Sequence, residues 1–467
     1  MLLLQRPARA MKHDLTFLLL LCFACAEPTE MTVDAPTNPE SQWLISISGP
    51  GDEVTRGVTG DAQGNTYITG SFTSFVNIGN TTYGTKGLND IFLTKLDAGG
   101  KAEWSRAFGS PGSDFAFDVD GDASGNHYVT GMFRQSMQLP GGGTVNSEAE
   151  GDVFTARFSP SGTCEWVKTG RGPGTEYGNE INLTSDGHVL IIGPTDRGIT
   201  FEGMQLTNTD DQDVFVTKYS TAGNLRWAKL LAGPGKVSGR GISSDRSGNS
   251  LVAGSFSGTL SVGSLNLNAS NSNLDIFIAK LDDAGAAIWA RSFGSTGDDY
   301  ARGIDADADG NIYVSGVFTG TVRFDAITLT NLSGSKDIFL LKLNPQGTVL
   351  WAKSFGGAGE EEGCELEVND AGAIFISGSF SATMQLGSAT LTAAGQRDVF
   401  VSKVNTTGEV QWARAAGSTQ DDVNYAITLH RGNEEVVTVG TFTGVFWQAG
   451  RSVSSAGGFD SYVSKVK

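Results

Sequence analysis

A chain of 467 residues has room for two to four domains unless it is a repeat array, and only 18% of it is charged. Its 63 glycines, without a collagen period, point to a turn-rich all-β protein. The net charge of −18 repels phosphate backbones and excludes nucleic acid as a natural partner, while favouring solubility and cations or cationic partners.

The first element in chain order is a targeting segment. Arg6, Arg9 and Lys12 precede the apolar run LTFLLLLCFACA at 15–26, which is too short to span a bilayer and has the length of a signal-peptide h-region. Met11 offers a second start, with Lys12 alone as the basic region. Residues 1–24 read as the signal peptide. Cys25, after Phe23-Ala24 and a leucine run, resembles the acceptor of a bacterial lipobox, with Cys22 standing where leucine is usual. The resemblance implies a lipid anchor at Cys25 and a place in the cell envelope, at the outer membrane. The competing expectation is an ordinary secreted protein. The stretch AEPTEMTVDAPTNPE that follows has little to bury, so 25–40 reads as anchor and tether.

From residue 41 onward the chain repeats. Tryptophans fall at 43, 104, 166, 227, 289, 351 and 412, spaced by 61 or 62 residues, with only Trp447 off the series. Asp90, Asp152, Asp213, Asp275, Asp337, Asp398 and Asp460 run in parallel, each with Phe or Tyr two residues later. Within one unit DIFIAKL, AIWARSF, GIDAD and IYVSGVF alternate and are bounded by turn residues, which gives four strands. Such units, without disulfides, rarely fold alone; stacked in a ring they are propeller blades. We label strands from the axis outward: a is GIDAD-like, b IYVSGVF-like, c DIFLLKL-like and d VLWAKSF-like. The array opens with a d strand, SQWLISI at 41–47, and ends on a c strand, SYVSKVK at 461–467. The expectation is therefore one seven-bladed β-propeller over 41–467, all-β, whose last blade is completed by the N-terminal strand, closing an edge that would aggregate. Each series tryptophan then buries about 150–250 Å², roughly 4–6 kcal/mol as an upper bound. Cys164 and Cys364 occupy different places in the repeat and are expected as free thiols. His127, His188 and His430 add no zinc spacing.

The motifs DIFLLK (337–342), WAKSFG (351–356) and DAQGNTYITGSF (61–72) resemble the seven-bladed beta-propeller repeat family of bacterial extracellular proteins. Blade 3 (NLTSDGHVLIIGPT) and blade 7 (LHRGNEEVVTVGTF) depart most from the pattern. The resemblance implies an extracellular or envelope-associated scaffold and assigns no catalytic residues.

Chemistry is expected on the face that carries the d–a loops and b–c connections. The d–a loops bear Asp52, Glu53, Asp114, Glu176, Asp298, Asp299, Glu360, Glu361, Asp421 and Asp422, and blade 4 breaks the series with Lys236. These read as solvated turn acids, or as a ring at the channel mouth that takes a cation or cationic ligand. The b–c stretches vary most and are the place for specificity. No Walker loop, His-Glu-x-x-His or nucleophile elbow is present, so the chain reads as a non-catalytic interaction or adhesion scaffold. The alternatives are a carbohydrate- or cation-binding lectin-like module and, third, a hydrolase using paired carboxylates. The expected partner is a protein or glycan of the cell envelope, with the propeller a monomer. Asp305, Asp307 and Asp309 with Gly310 spell the opening of a calcium loop, but its twelfth position is Gly316 rather than a bidentate Glu. Asp307 matches Asp61, Asp122 and Asp245 and reads as a type I turn residue. No cofactor is expected; calcium is the one candidate the acids raise.

Overall fold

The computed structural model describes residues 41–467 apart from 148, 208–211, 332–333 and 431–433. The signal peptide, Cys25 and the tether lie outside the described residues. The rest is a ring of seven four-stranded antiparallel blades. Strand a is Glu53–Gly60 in blade 1 and Tyr300–Ala306 in blade 5; strands b, c and d of blade 5 are Ile312–Phe318, Asp337–Leu343 and Val349–Gly357. The ring closes as the two chain ends require: Ser41–Ile47 pairs antiparallel with Asp460–Val466, Leu44 opposite Ser464 and Ile47 opposite Ser461.

Strands b and c of blade 5 are buried along their whole length because a blade packs on both faces. Alternation decides the neighbour. Ile312 and Val314 join the core shared with blade 4, and Tyr313 and Val317 the core shared with blade 6. The b–c stretch folds in every blade into a short hairpin, such as Thr383–Leu386 with Ala389–Thr392 in blade 6. Several hairpins pair with strand d of the preceding blade: Gly356 and Gly357 with Gln385 and Met384, and Leu231 and Ala232 with Val262 and Ser261. Trp447 belongs to the corresponding hairpin of blade 7 and bridges to Gly417. The extra stretch that lengthens the repeat is thus a strap between blades.

The series tryptophans act across the same seam. Trp289 Nε1 donates to the Pro345 carbonyl of the next blade's c–d turn at 3.1 Å, and Trp43, Trp104, Trp166, Trp227 and Trp351 do the equivalent. Gly347 of that turn has φ +81°, and a Cβ there would lie 3.0 Å from the Trp289 ring. Glycine answers both demands at once. The series aspartates are buried and cap the adjacent loops: Asp275 accepts from Ser270 N, and Asp398 from Ala394 N and Gly395 N. Cys164 and Cys364 are free thiols.

Candidate functional site

The d–a acids do not face the axis. Position for position the seven loops are equivalent, because the residue that opens each strand a donates its N–H to the b–c connection of the preceding blade: Asp114 to Asn89, Asp299 to Leu274, Glu361 to Lys336, Val237 to Gln212. Asp114, Asp299 and Asp422 are fully buried there. Each accepts from the N–H and hydroxyl of a serine four residues earlier: Ser110, Ser295 and Ser418, at 2.5–2.6 Å and 3.1 Å. Asp114 also takes Arg134 N and Asp299 takes Thr319 N. Burial pushes Asp299 up to about 6 and Asp422 up to about 7 despite these bonds.

Blades 1, 3 and 6 carry Glu53, Glu176 and Glu361 at that position, and glycines 49, 172 and 357 replace the serine. The longer side chain occupies the space a serine would take: a Cβ on Gly49 would come within 2.8 Å of Glu53 Oε1, and one on Gly172 within 2.6 Å of Glu176 Oε1. Burial, with Asp460 beside it, lifts Glu53 to about 9; burial, with Asp337, lifts Glu361 to about 8. Blade 4 has Val237, wholly buried. These six acids are loop keystones. The other four lie outside them: Asp52, Asp298 and Glu360 are exposed, and Asp421 forms a bidentate pair with Arg397 at 2.6 Å, which also meets Glu362. None of the ten lines the axial cavity.

Asp305, Asp307 and Asp309 do not converge either. Asp307 Oδ1 accepts from Asp309 N and Asn311 N, and its Oδ2 from Asn311 Nδ2 and Tyr313 OH, as Asp61 and Asp122 do in their own turns. Asp305 turns to its neighbours, accepting from Ser243 Oγ and Val368 N, and Asp309 is exposed. Among the described residues no group of three His, Cys, Asp or Glu side chains is placed to hold a metal ion.

The residues drawn together lie on the axis. Strand a has a bulge in most blades: pairing skips at Arg56, Phe117, Arg240 and Tyr425, and across Arg302-Gly303. A bulge turns two successive residues to one face. Both therefore point into an axial cavity of about 210 Å³. Its upper layer holds Arg56, Arg240 and Arg302 with Phe117, Asn179 and Tyr425; the next holds Asp118, Glu180 and Glu365; the far end holds Asp120, Asp305 and Glu367. The carboxylates have a structural use. Strand a is the inner edge of its blade, and its free N–H groups need acceptors. Asp118 Oδ2 takes Ile181 N, Glu180 Oε2 takes Ile242 N and Asp120 Oδ2 takes Leu183 N, each from the next blade. Burial and their mutual repulsion hold Asp118 and Glu180 well above the ordinary carboxylate range.

The arginines are arranged differently. Arg56 lies between the Tyr425 ring, at 4.7 Å, and the Phe117 ring, at 5.4 Å. Phe117 packs in turn on Tyr177 at 5.0 Å. The surrounding protein and the Arg302 guanidinium depress the Arg240 pKa. Among the described residues none of the three has a carboxylate at ion-pair distance. The sequence held a signal for them: Arg-Gly occurs at the same repeat position in blades 1, 4 and 5, as Arg56-Gly57, Arg240-Gly241 and Arg302-Gly303, and Asp or Glu replaces the glycine in blades 2, 3 and 6. The glycines are required by closeness at the axis, since a Cβ on Gly57 would lie 2.6 Å from Asp118 Cα.

Seven four-stranded blades around this channel define a seven-bladed β-propeller. Residues 226–255, from strand d of blade 3 to strand b of blade 4, match the family described as "Beta-propeller repeat". The match covers the junction of two blades, 30 residues of the ring. An uncharacterized WD repeat-containing protein of Acanthamoeba polyphaga mimivirus is 24% identical over 484 aligned residues, covering 91% of this chain and 32% of the viral protein. Regulatory protein FlaEY of Caulobacter vibrioides is 26% identical over 162 residues, 34% of this chain and 17% of its own length. The chain thus spans about a third of the first relative and less of the second. Among solved structures, a protein of unknown function from Dyadobacter fermentans is 11% identical with a TM-score of 0.41, over 92% of this chain and 99% of that one.

Proposed function

We propose that this propeller is a non-catalytic interaction scaffold, anchored in the cell envelope through Cys25 or secreted, that engages a protein partner through the face bearing its d–a loops and b–c connections. One observation carries the reading: the strands repeat from blade to blade, while the b–c connections vary and leave large apolar side chains in solvent. Leu88 is 70% exposed and Phe459 43% exposed. Both sit beside d–a loops, Leu88 N donating to Gly112 O and Phe459 N to Asp52 Oδ1. An apolar side chain beside open acids is the composition of a binding rim rather than of a catalytic cleft. Asp52, Asp298 and Glu360 are open to a basic partner on the same face. Kinship to a WD repeat-containing protein fits a scaffold.

The test uses the full chain as bait, cross-linked in cell-envelope extract. A protein retained by the parent and lost with Leu88→Asp and Phe459→Asp supports the reading; equal retention by the double variant refutes it. Metabolic acyl labelling that follows Cys25, and vanishes in Cys25→Ser, checks the anchor. A soluble, unlabelled parent removes it.

A further inference from the structure

We infer that Arg56, Arg240 and Arg302 form a binding site for a small organic oxyanion, a carboxylate or an ester sulfate or phosphate, whose body lies against Phe117 and Tyr425. The site is separate from the rim proposed above.

Three observations converge. The guanidiniums come from blades on opposite sides of the axis: Arg56 from blade 1, Arg240 and Arg302 from blades 4 and 5, all lining one cavity of about 210 Å³. Like charges gathered there cost free energy unless something neutralises them. Six carboxylates line the cavity below them, and four of these, Asp118, Asp120, Glu180 and Asp305, accept from backbone N–H groups of neighbouring blades. Asp118 has both oxygens engaged by Val119 N and Ile181 N, and Glu180 is tied to Ile242 N. Glu365 is the acid within electrostatic reach of Arg302 and Arg240, without ion-pair contact.

Arg56 adds a second observation. Its guanidinium is held between two rings, which fixes its plane before any ligand arrives, and its Nε is buried without a hydrogen-bond partner. A pre-oriented fork with an unused donor suits the two oxygens of a carboxylate or sulfate. The third is the lining. Phe117 and Tyr425 line the cavity beside the donors, and aromatic surface next to a cation is the pairing that recognises a charged group on an apolar or sugar-like body. The cavity has room for a ligand of monosaccharide size. The negative charge of the whole chain repels anions at long range, but at physiological salt charges more than about 8 Å apart are largely screened, so the local cluster decides.

Calorimetric titration of the full chain separates the possibilities. The probes are D-glucuronate, inorganic sulfate as the bare oxyanion, and D-glucose as the uncharged body. Saturable binding of glucuronate or sulfate, without glucose binding, is expected. Arg240→Gln and Arg302→Gln should each weaken it about tenfold or more, with the melting temperature not lowered. Glu365→Gln removes the competing negative charge and should tighten binding several-fold, a gain that misfolding cannot mimic. Glucose binding as well as glucuronate, no saturable binding of either charged probe, or affinity unchanged in all three variants overturns the inference. Loss of the protein partner in Leu88→Asp with glucuronate binding intact would leave this site standing on its own.

Discussion

Replacing Glu361 by valine should stabilise the protein at neutral pH and do little in acid. Glu361 is fully buried, and both its carboxyl oxygens lack a hydrogen-bond partner among the described residues. Burial lifts its pKa to about 8, from 4.5 in the unfolded chain. Between those values the native protein holds a proton that the unfolded chain has released. Native stability is therefore fully present below pH 4.5 and declines as pH rises toward 8. Each pH unit costs about 1.36 kcal/mol, so the group withdraws roughly 3 kcal/mol by pH 7 as an upper figure. Val237 shows that the scaffold accepts valine at the equivalent place, with the same N–H bond to the preceding blade. In thermal melts of parent and Glu361→Val from pH 4.5 to 8.5, the variant's advantage should be near zero or negative at the acid end. It should reach about 1–3 kcal/mol above pH 7, a rise of a few degrees in Tm for a chain of this size. An advantage that is flat across pH, or that grows toward acid, refutes the reasoning.

Other outcomes follow from the same frame. The turn carboxylates Asp61, Asp122 and Asp245 have pKa values lowered by their amide and side-chain partners, so the parent should lose stability as pH falls below about 4, seen as a falling Tm. Asp307→Ala removes the four bonds to Asp309, Asn311 and Tyr313 and should cost about 2–3 kcal/mol in denaturant melts, while Asp309→Ala stays within about 0.5 kcal/mol. A calcium heat that disappears in Asp309→Ala would contradict that turn assignment. Gly347→Ala forces a side chain into a left-handed position against Trp289 and should cost about 1–2 kcal/mol. Deleting 41–47 exposes the edge of Asp460–Val466, and light scattering should detect oligomers at concentrations where the parent is monodisperse.

The ring was legible because its signals repeat. A tryptophan every 61 or 62 residues fixes the blade count, and a chain that starts on strand d and ends on strand c dictates the closure. The site was not legible in the same way, because the loop acids were read by type and not by depth. Asp299 and Asp298 are adjacent in the chain, yet one is sealed under Ser295 and Thr319 and the other is open. Loop hydrogen bonds make that split, and for the axial residues alternation along strand a fails at the bulge, which leaves no fixed residue signature. Arg56-Gly57 and its two counterparts carried the missing hint, which a search confined to loops passes over.

The closing strand also gives the disc an orientation. Ser41–Ile47 runs from the end where Val466 finishes strand c toward the end where strands a begin. The chain therefore enters the ring on the face of the a–b and c–d turns, beside its own C-terminus. The exposed Leu88, the varied hairpins and the arginine mouth lie on the opposite face. The strand that seals the last blade is thus a vector: any pull on the chain ahead of it is applied at the turn face.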